Sequence, residues 1–373
     1  MPRIAFVLQT FYDDYIGGAE RQVQLLARAL RDQGWETIYI CERSTDKPRR
    51  EVVDGMEVLA LPLRKRRNAW LNFSALKEAM IKSRADLFYQ RVRRPYTGLV
   101  VRIARKLKKP VVYAVASIAD VNRRRDLFRK MNSGSPIDLL INPFLRYIEN
   151  WGITNADAII LQTQDQLRLL ESEYKRGGTV IPNHLFLEND QPNVKISPPE
   201  ILWISNIKQM KRPELFVELA HRCHDLDVRF IMAGSCEQDK FQHNIAEAER
   251  KLSNFFYIGP LKPSEAEKRI ASAALLINTS EFEGFPNVLQ QAWAKGVPTL
   301  CLGIDPDGII EREGLGVNAK SVDELEAALR RLLSDDEQRE SIGERAREFA
   351  RRSYDLKNLL PRYVALFEDL IRT

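Results

Sequence analysis

Cysteine is scarce and scattered in this 373-residue chain: Cys41, Cys223, Cys236 and Cys301 stand far apart, with no CxxC pair. That spacing argues against a disulfide framework and against a zinc site, and for reduced thiols in a cytoplasmic setting. Histidine is also sparse. All 4 histidines lie at or beyond His184, so the 183 residues before it offer no imidazole as a general base. No apolar run approaches the roughly 20 residues of a membrane-spanning helix. The opening MPRIAFVLQTF has too short an apolar core for a signal peptide and no small-residue cleavage site, so it reads as a first β-strand. Acid pairs occur at Asp13-Asp14 and around Asp305-Pro306-Asp307, but no third ligand accompanies either, and no metal is expected. No RRM, KH, helix-turn-helix or zinc-finger pattern is present, which argues against a nucleic-acid partner.

What is there is ordinary globular material, 44% hydrophobic and 29% charged, and long enough for two domains. The net charge of +6 hides an asymmetry. Residues 1–185 hold 32 Lys+Arg against 20 Asp+Glu, and the remainder holds 25 against 31. Between Ala60 and Lys130 there are 20 basic residues and only four acids. Such a half-molecule attracts anionic surfaces. Within it, RKRRNAWLNF (Arg64 to Phe73) interleaves cations with Trp70, Leu71 and Phe73. That mixture suits an acidic bilayer surface, or alternatively a solvated basic loop with a few core-facing residues.

Hydrophobic periodicity gives two βαβ arrays in series. The first begins with a strand over Arg3 to Gln9, a loop, and a helix from about Ala19 to Gln33 whose Val23, Leu26 and Leu30 share one face. Gly34 is placed as its left-handed cap, with a second strand from Glu36 to Cys41. Alternation continues through DLFYQ, TGLVVRIARKL and PVVYAVA, a helix from about Pro143 to Gly152, and the strand AIILQT. VIPNH (Val180 to His184) breaks the pattern, a polar stretch follows, and His184 is read as a linker residue. The pattern restarts with ILWIS, VRFIMAG, FFYIG, ALLINT and PTLCL as strands. Intervening helices include PSEAEKRIASA, read with a Ser264–Glu267 capping box. Three helices close the chain, from Ser321, from about Asp335 and from about Leu356. The expected fold class is α/β: two doubly wound domains, whose ligands sit at the carboxyl ends of the strands.

The segment EFEGFPNVLQQAW (Glu281 to Trp293) joins a strand to a helix from about Pro286. Proline suits a first helical turn, and Val288, Leu289, Ala292 and Trp293 form a buried face. A loop–helix junction leaves backbone N–H groups and a positive dipole end for an anion or hydroxyl. Gly284 permits close approach of a ligand, and Glu283 can accept hydrogen bonds from sugar hydroxyls. Gln291 lies eight residues after Glu283, near the same helix face. The alternative is a carboxylate that merely complements the helix dipole and a solvated glutamine.

EGFPNVLQQAWAKGVP closely resembles the signature of retaining nucleotide-sugar glycosyltransferases of family 4, which have the GT-B fold. GGAERQVQLLARALRDQGWE, DAIILQTQDQLRLL, IPN, WISNIKQMKRPELFVELA and PDGIIEREGLG extend the similarity over nearly the whole chain. The resemblance implies two Rossmann-like domains facing a central cleft: 1–184 binding acceptor, 185–355 binding donor, and 356–373 a terminal helix crossing back to the first domain. It implies that Glu283 contacts the donor sugar and, with Lys211, carries the chemistry. Ser205, Asn206 and the amides of Gly284, Phe285, Asn287 and Val288 would line the sugar and diphosphate, beside Pro286, which has no amide. Gly17 and Gly18 would face the diphosphate, and Gly234 and Gly259 would be close-approach points for nucleotide and base, or else plain turns.

Three departures stand out, one being that relatives often carry a His after the strand that here reads PVVYAVASIAD, where this chain has none. Gln291 occupies the position of the second glutamate, which holds the ribose, and Asn206 stands where an arginine is usual before Lys211. A carboxylate grips two hydroxyls with charge assistance and an amide does not, so weaker ribose binding or a shifted nucleotide preference follows. Tyr15, Arg91 and Asp120 are the acceptor-side candidates, each with a plain structural alternative. The resemblance implies metal-independent transfer, with retention and without a cofactor, from a nucleotide sugar to a glycan or lipid-linked glycan. A role in cell-surface polysaccharide or glycolipid synthesis, in the cytoplasm or peripheral on the inner membrane face through residues 60–130, would suit it. The competing readings are a GT-B-like protein that binds a nucleotide sugar without turnover, and a sugar-nucleotide epimerase.

Overall fold

The computed structural model describes residues 1–12, 17–45, 47–63, 71–123, 136–187, 196–236 and 238–373, with the side chains of 136–141 and 240 left aside. The chain divides into two units, Met1–Phe186 with Leu356–Thr373, and Leu187–Asp355. Tyr15, the acid pair Asp13-Asp14 and the run Arg64–Trp70 lie outside the described residues.

The first unit is built on a sheet of β1 (Arg3–Val7), β2 (Glu36–Arg43), β3 (Arg49–Val53), β4 (Met56–Pro62), β5 (Leu87–Arg91), β6 (Val111–Ala114), β7 (Ala158–Leu161) and β8 (Thr179–Val180). Its order is β3-β4-β2-β1-β5-β6-β7-β8, parallel except for β3 against β4. Going outward from β1 in both directions gives the doubly wound reversal, with its switch point between β1 and β5. The sheet is covered on both faces because its strands alternate between two cores. Ala5, Val7, Ile38 and Ile40 face one, and Ile4, Phe6, Tyr39 and Cys41 face the other.

The β3–β4 pair is a hairpin that the periodicity reading missed. Asp54 and Gly55 both take positive φ, 51° and 72°, the turn that Asp-Gly favours. The Gly34 cap is present at φ +84°, where the amide of Gly34 donates to Arg31 O. The helix expected from Pro143 runs instead from Pro136 to Asn155. Pro143 sits inside it, so the start signal that proline normally carries pointed seven residues too late.

The terminal helix Leu356–Arg372 is part of this first unit. Leu356, Leu359, Tyr363 and Phe367 recur at helical spacing and are buried in the core that also holds Trp35 and Tyr89. The Leu356 amide donates to Leu185 O at 2.8 Å, so the two places where the chain leaves and re-enters this unit are hydrogen-bonded to each other.

His184 beside them, read from the sequence as a linker residue, is instead buried within the first unit, a correction to that expectation. It is fully buried; its Nε2 lies 3.0 Å from Gln22 O and its Nδ1 3.4 Å from the Tyr363 hydroxyl. A carbonyl only accepts, so Nε2 carries the proton and Nδ1 accepts from Tyr363. The Gln22 side chain closes the clip, donating to His184 O at 2.9 Å and accepting from His184 N at 2.8 Å. Burial first and the nearby Arg91 guanidinium second push the imidazole down to about 3. The unfolded chain then binds a proton near pH 6.5 that the folded chain refuses. This contribution is complete above the unfolded value and is lost as pH falls towards 3. Folding stability is expected to drop by about 2 kcal/mol between pH 7 and pH 5 from this group alone. Urea titrations at both pH values test it: His184→Gln should remove that part of the slope, and an unchanged slope refutes the assignment.

The second unit has a sheet of β9 (Glu200–Ile204), β10 (Arg229–Ala233), β11 (Phe255–Tyr257), β12 (Leu275–Asn278), β13 (Thr299–Leu302) and β14 (Gly316–Ala319), all parallel. Its order, β11-β10-β9-β12-β13-β14, reverses between β9 and β12. The helix over Pro263–Ser272 is capped differently from the expected Ser264–Glu267 box. Pro263 takes the first helical position, so Lys262 becomes the cap and its amide donates to Glu265 Oε2 at 2.8 Å. The helices Val322–Ser334 and Asp336–Tyr354 begin on Ser321 and Asp335, whose side chains accept from Glu324 N and Gln338 N.

Candidate functional site

In a doubly wound sheet the crevice opens at the carboxyl edge, where the strand order reverses. In the second unit that point lies between β9 and β12. The loop after β9 (Ser205 to Arg212) and the loop after β12 (Thr279 to Pro286) meet there and are stitched together. Trp203 Nε1 donates to the Thr279 hydroxyl at 2.9 Å. That hydroxyl lies 2.7 Å from Lys211 O and 3.0 Å from Arg212 O. Glu281 N donates to Met210 O at 2.9 Å.

This stitching brings Lys211 and Glu283 into contact. Lys211 Nζ donates to Glu283 Oε1, and Ser280 Oγ donates to the same oxygen at 2.8 Å. The two side chains are only 18% and 15% exposed, so water screens their attraction less than that of a surface pair. A short 3-10 turn, Gln209–Lys211, presents the lysine. Arg212 follows in the left-handed region at φ 46° and leads into Pro213, the first residue of the helix Pro213–Arg222.

Charge alone would rank Arg212 with Lys211 as a ligand for phosphate. Its guanidinium instead donates to three carbonyls: Thr279 O at 2.6 Å, Ser280 O at 3.2 Å and Leu302 O at 2.9 Å. It is a strut that holds the two loops together. Sequence reasoning missed it together with Thr279 and Ser280, although the short polar run before Glu283 was a visible signal.

The helix after the second loop runs Asn287–Ala294, with Pro286 as its cap and no side-chain cap bond. A helix start without a side-chain cap, four residues after Glu283 in the chain, is a place where backbone N–H groups can serve an oxyanion or hydroxyl. Phe285 is buried and its ring packs edge-on against Trp293 at 6.0 Å and Tyr354 at 5.5 Å, so its side chain anchors the loop and only its backbone is left for a ligand. Gly284, Val288 and Gln291 are half-buried along the same edge.

Ser205 and Asn206 lie in the first loop. The Asn206 amide oxygen accepts from the Ser235 hydroxyl at 2.9 Å, which ties this loop to the end of β10. Gly234 is indeed a point of close approach, but to the chain itself. At φ +146° an added Cβ would fall 1.8 Å from Ser205 O. Gly259, at φ +71°, has open space at its Cβ position and accepts the Gly234 amide at 2.9 Å. Asp305 accepts from Ile310 N at 2.7 Å and Glu311 N at 3.2 Å. Its carboxylate is thus engaged by the start of a helix.

In the first unit, Gly17 and Gly18 stand at the carboxyl edge near the β1/β5 switch point. Gly17 is the extended cap and Gly18 the first residue of the helix Gly18–Asp32, without a side-chain cap. The Thr10 hydroxyl donates to Glu20, a buried acid in the first turn. Arg91 ends β5 and is buried, with Nη2 2.6 Å from Asn183 Oδ1 and Nη1 3.3 Å from the Tyr89 hydroxyl. Asp120 is buried at a helix start, accepting from Ala116 N at 2.8 Å and Ser117 N at 3.3 Å. Burial raises its carboxyl above the usual range, and those backbone donors oppose the shift. Of the three acceptor-side candidates, Arg91 and Asp120 thus have internal partners, though the buried Arg91 Nε has none.

Residues 17–184 match the family model "Glycosyl transferase 4-like domain", and residues 187–349 match "Glycosyl transferases group 1". The chain is 24% identical over 253 residues to an N-acetyl-alpha-D-glucosaminyl L-malate synthase of Bacillus anthracis, a match that spans 62% of this chain and 64% of that relative. Its fold is that of a sucrose-phosphate synthase from Thermosynechococcus elongatus, with TM-score 0.77, 16% identity and full coverage of both chains. It is likewise similar to Anabaena HepE in complex with UDP and glucose, with TM-score 0.74, 15% identity, and 99% and 100% coverage.

Proposed function

We propose, from the premise that this chain belongs to the GT-B glycosyltransferases, that it moves a hexose from a nucleotide-sugar donor to an acceptor with retention of anomeric configuration. The observation that carries this reading is the Lys211–Glu283 pair, set with the Ser280 hydroxyl beside an uncapped helix start at a switch point. Glu283 would exchange the lysine for sugar hydroxyls. Lys211 and the amides at Asn287 and Val288 would meet the charge that develops on the departing diphosphate. Positive charge supplied by the chain in this way makes a metal unnecessary, and the departing phosphate can take the acceptor proton. The solved relative bound to UDP and glucose favours a donor of that class.

The malate named in the curated relative, and the excess of cations in residues 1–185, favour an acceptor that carries an anion. A lipid-diphosphate-linked glycan in cell-surface polysaccharide synthesis satisfies that requirement, with the protein cytoplasmic and peripheral on an acidic membrane. No helix among the described residues is long and apolar enough to cross a membrane.

A thermal-shift screen against UDP-, GDP-, ADP- and TDP-sugars tests the reading. A donor at about a hundred times its Kd stabilises the native state by about 2.7 kcal/mol. One nucleotide series should stand out, and Gln291→Glu should increase its shift by restoring a carboxylate for the ribose. No shift with any of the four at millimolar concentration would sink the reading.

A further inference from the structure

The hairpin that extends the first unit's sheet leaves a cavity of about 570 Å³. β3 is the edge strand of the sheet, paired with β4, while the helix Phe73–Ser83 covers β4 and β2, so a trough opens beside that helix. Strand register fixes which side chains face it. Arg50 is paired with Leu59, and Glu57, Leu59 and Leu61 alternate onto the face that the helix covers. Leu59, Leu61, Ala75 and Ala79 make an apolar floor, and cations make the rim.

Five cations line it, Arg3, Arg49, Arg50, Lys82 and Arg84, against two carboxylates, Glu57 and Glu78. Arg3 and Arg50 share Glu57, at 3.2 Å and 2.9 Å. Lys82 pairs with Glu78. Arg3 also pairs through its Nε with Glu36 at 3.3 Å and Arg49 pairs with Glu51 at 3.0 Å, whereas Arg84 has no carboxylate partner among the described residues. Three of its members sit at the edge away from the transfer site, while Arg49, opposite Ala60, lines the other end of β4. Arg3 opens β1, Glu57 is the second residue of β4, and Arg84 follows the helix C-terminus. All three mark the amino-terminal edge of the sheet, away from Gly17 and Arg91.

We propose that this cavity is a second ligand site, distinct from the proposed transfer site, which takes a soluble organic phosphate: the phosphoryl group on Arg84 and Arg50, a compact apolar or planar body on Leu59 and Ala75. Its volume lies within the roughly 300–1,000 Å³ of small-molecule pockets, and an apolar floor with a few convergent charges is their usual composition. Arginine suits a phosphoryl group because its planar fork matches two oxygens at once.

Calorimetric titration of the whole protein with 1-naphthyl phosphate, with hydrogen-exchange mapping of the complex, tests this. Saturable binding is expected, with protection confined to residues 48–61 and 75–84. Arg84→Gln, which breaks no ion pair seen here, and Ala75→Phe, which fills the floor, should each weaken it about tenfold or more. 1-Naphthol and inorganic phosphate should each bind at least tenfold more weakly than the ester. Protection elsewhere only, affinity unchanged in both variants, or inorganic phosphate binding as tightly as the ester would overturn the proposal. Circular dichroism of both variants ensures that a loss is not misfolding.

Discussion

Lys211→Ala is expected to lower kcat/KM for the nucleotide-sugar donor by about a hundredfold to a thousandfold, the cost of removing one preorganised charge partner from a leaving group. Glu283→Gln should cost less in kcat and more in KM, because it weakens the grip on sugar hydroxyls but leaves the cation in place. The pair has a structural explanation too: two partly shielded charges that only hold two loops together. Thermal stability separates the two roles. A purely structural pair would show its loss in Tm, with kinetic constants falling only as far as the folded fraction does. The loops keep their other ties, through Thr279, Arg212 and the Glu281–Met210 backbone bond. Tm is therefore expected to move by only a few degrees in either variant.

A double-mutant cycle then assigns the partners. If Lys211 meets the diphosphate and Glu283 the sugar, the losses in Lys211→Ala and Glu283→Gln are nearly additive. If each acts only by holding the other, the double variant is no worse than the worse single one. Single variants both within threefold of the unaltered protein would remove the pair from the chemistry altogether.

Much of this site was legible in the sequence, and the reasons are local. Glu283, Gly284 and Pro286 announce a strand–turn–helix junction by residue type alone, and Lys211 precedes a Pro213 helix start. The rest depends on contacts distant in sequence. Nothing local distinguishes Lys211 from Arg212. Only the fold, by bringing Thr279, Ser280 and Leu302 carbonyls around the second, turns one cation into a strut and leaves the other with Glu283.

Gly234 follows the same logic. Its need for hydrogen in place of a side chain was readable, but whether a nucleotide or a neighbouring strand end imposed it was not, because Ser205 is placed against it by sheet pairing. His184 looked like a linker because proline and asparagine precede it. Its burial follows from Gln22 and Tyr363, which no window around residue 184 contains. The hairpin at Asp54-Gly55 is the opposite case. Its signal is among the strongest short-range turn signals, and it was masked by a reading that looked only for strand–helix alternation.

The terminal helix is where that distant packing carries the most energy. Phe367→Ala is expected to destabilise the first unit by about 3–5 kcal/mol, the usual range for truncating a fully buried aromatic. Its ring is completely enclosed, with Trp35 at 6.0 Å, Tyr89 at 6.2 Å and Tyr363 at 5.9 Å. The effect should be confined. Hydrogen exchange is expected to quicken in 1–186 and 356–373 and to stay unchanged in the core strands of 187–355, because the helix shares its core with the first unit and not with the residues that immediately precede it. Lys357→Ala on the same helix serves as a control, since Lys357 is exposed and its Nζ lies 6.0 Å from the centroid of the half-exposed Phe186 ring. It should cost under about 1 kcal/mol, in line with exposed cation–π contacts. Equal destabilisation by the two substitutions, or faster exchange spread evenly over both units, would mean that the helix is not held by its buried aromatic face. If the expected pattern holds, the helix Leu356–Arg372 is a structural component of the first unit, and its buried aromatic face is a main source of that unit's stability.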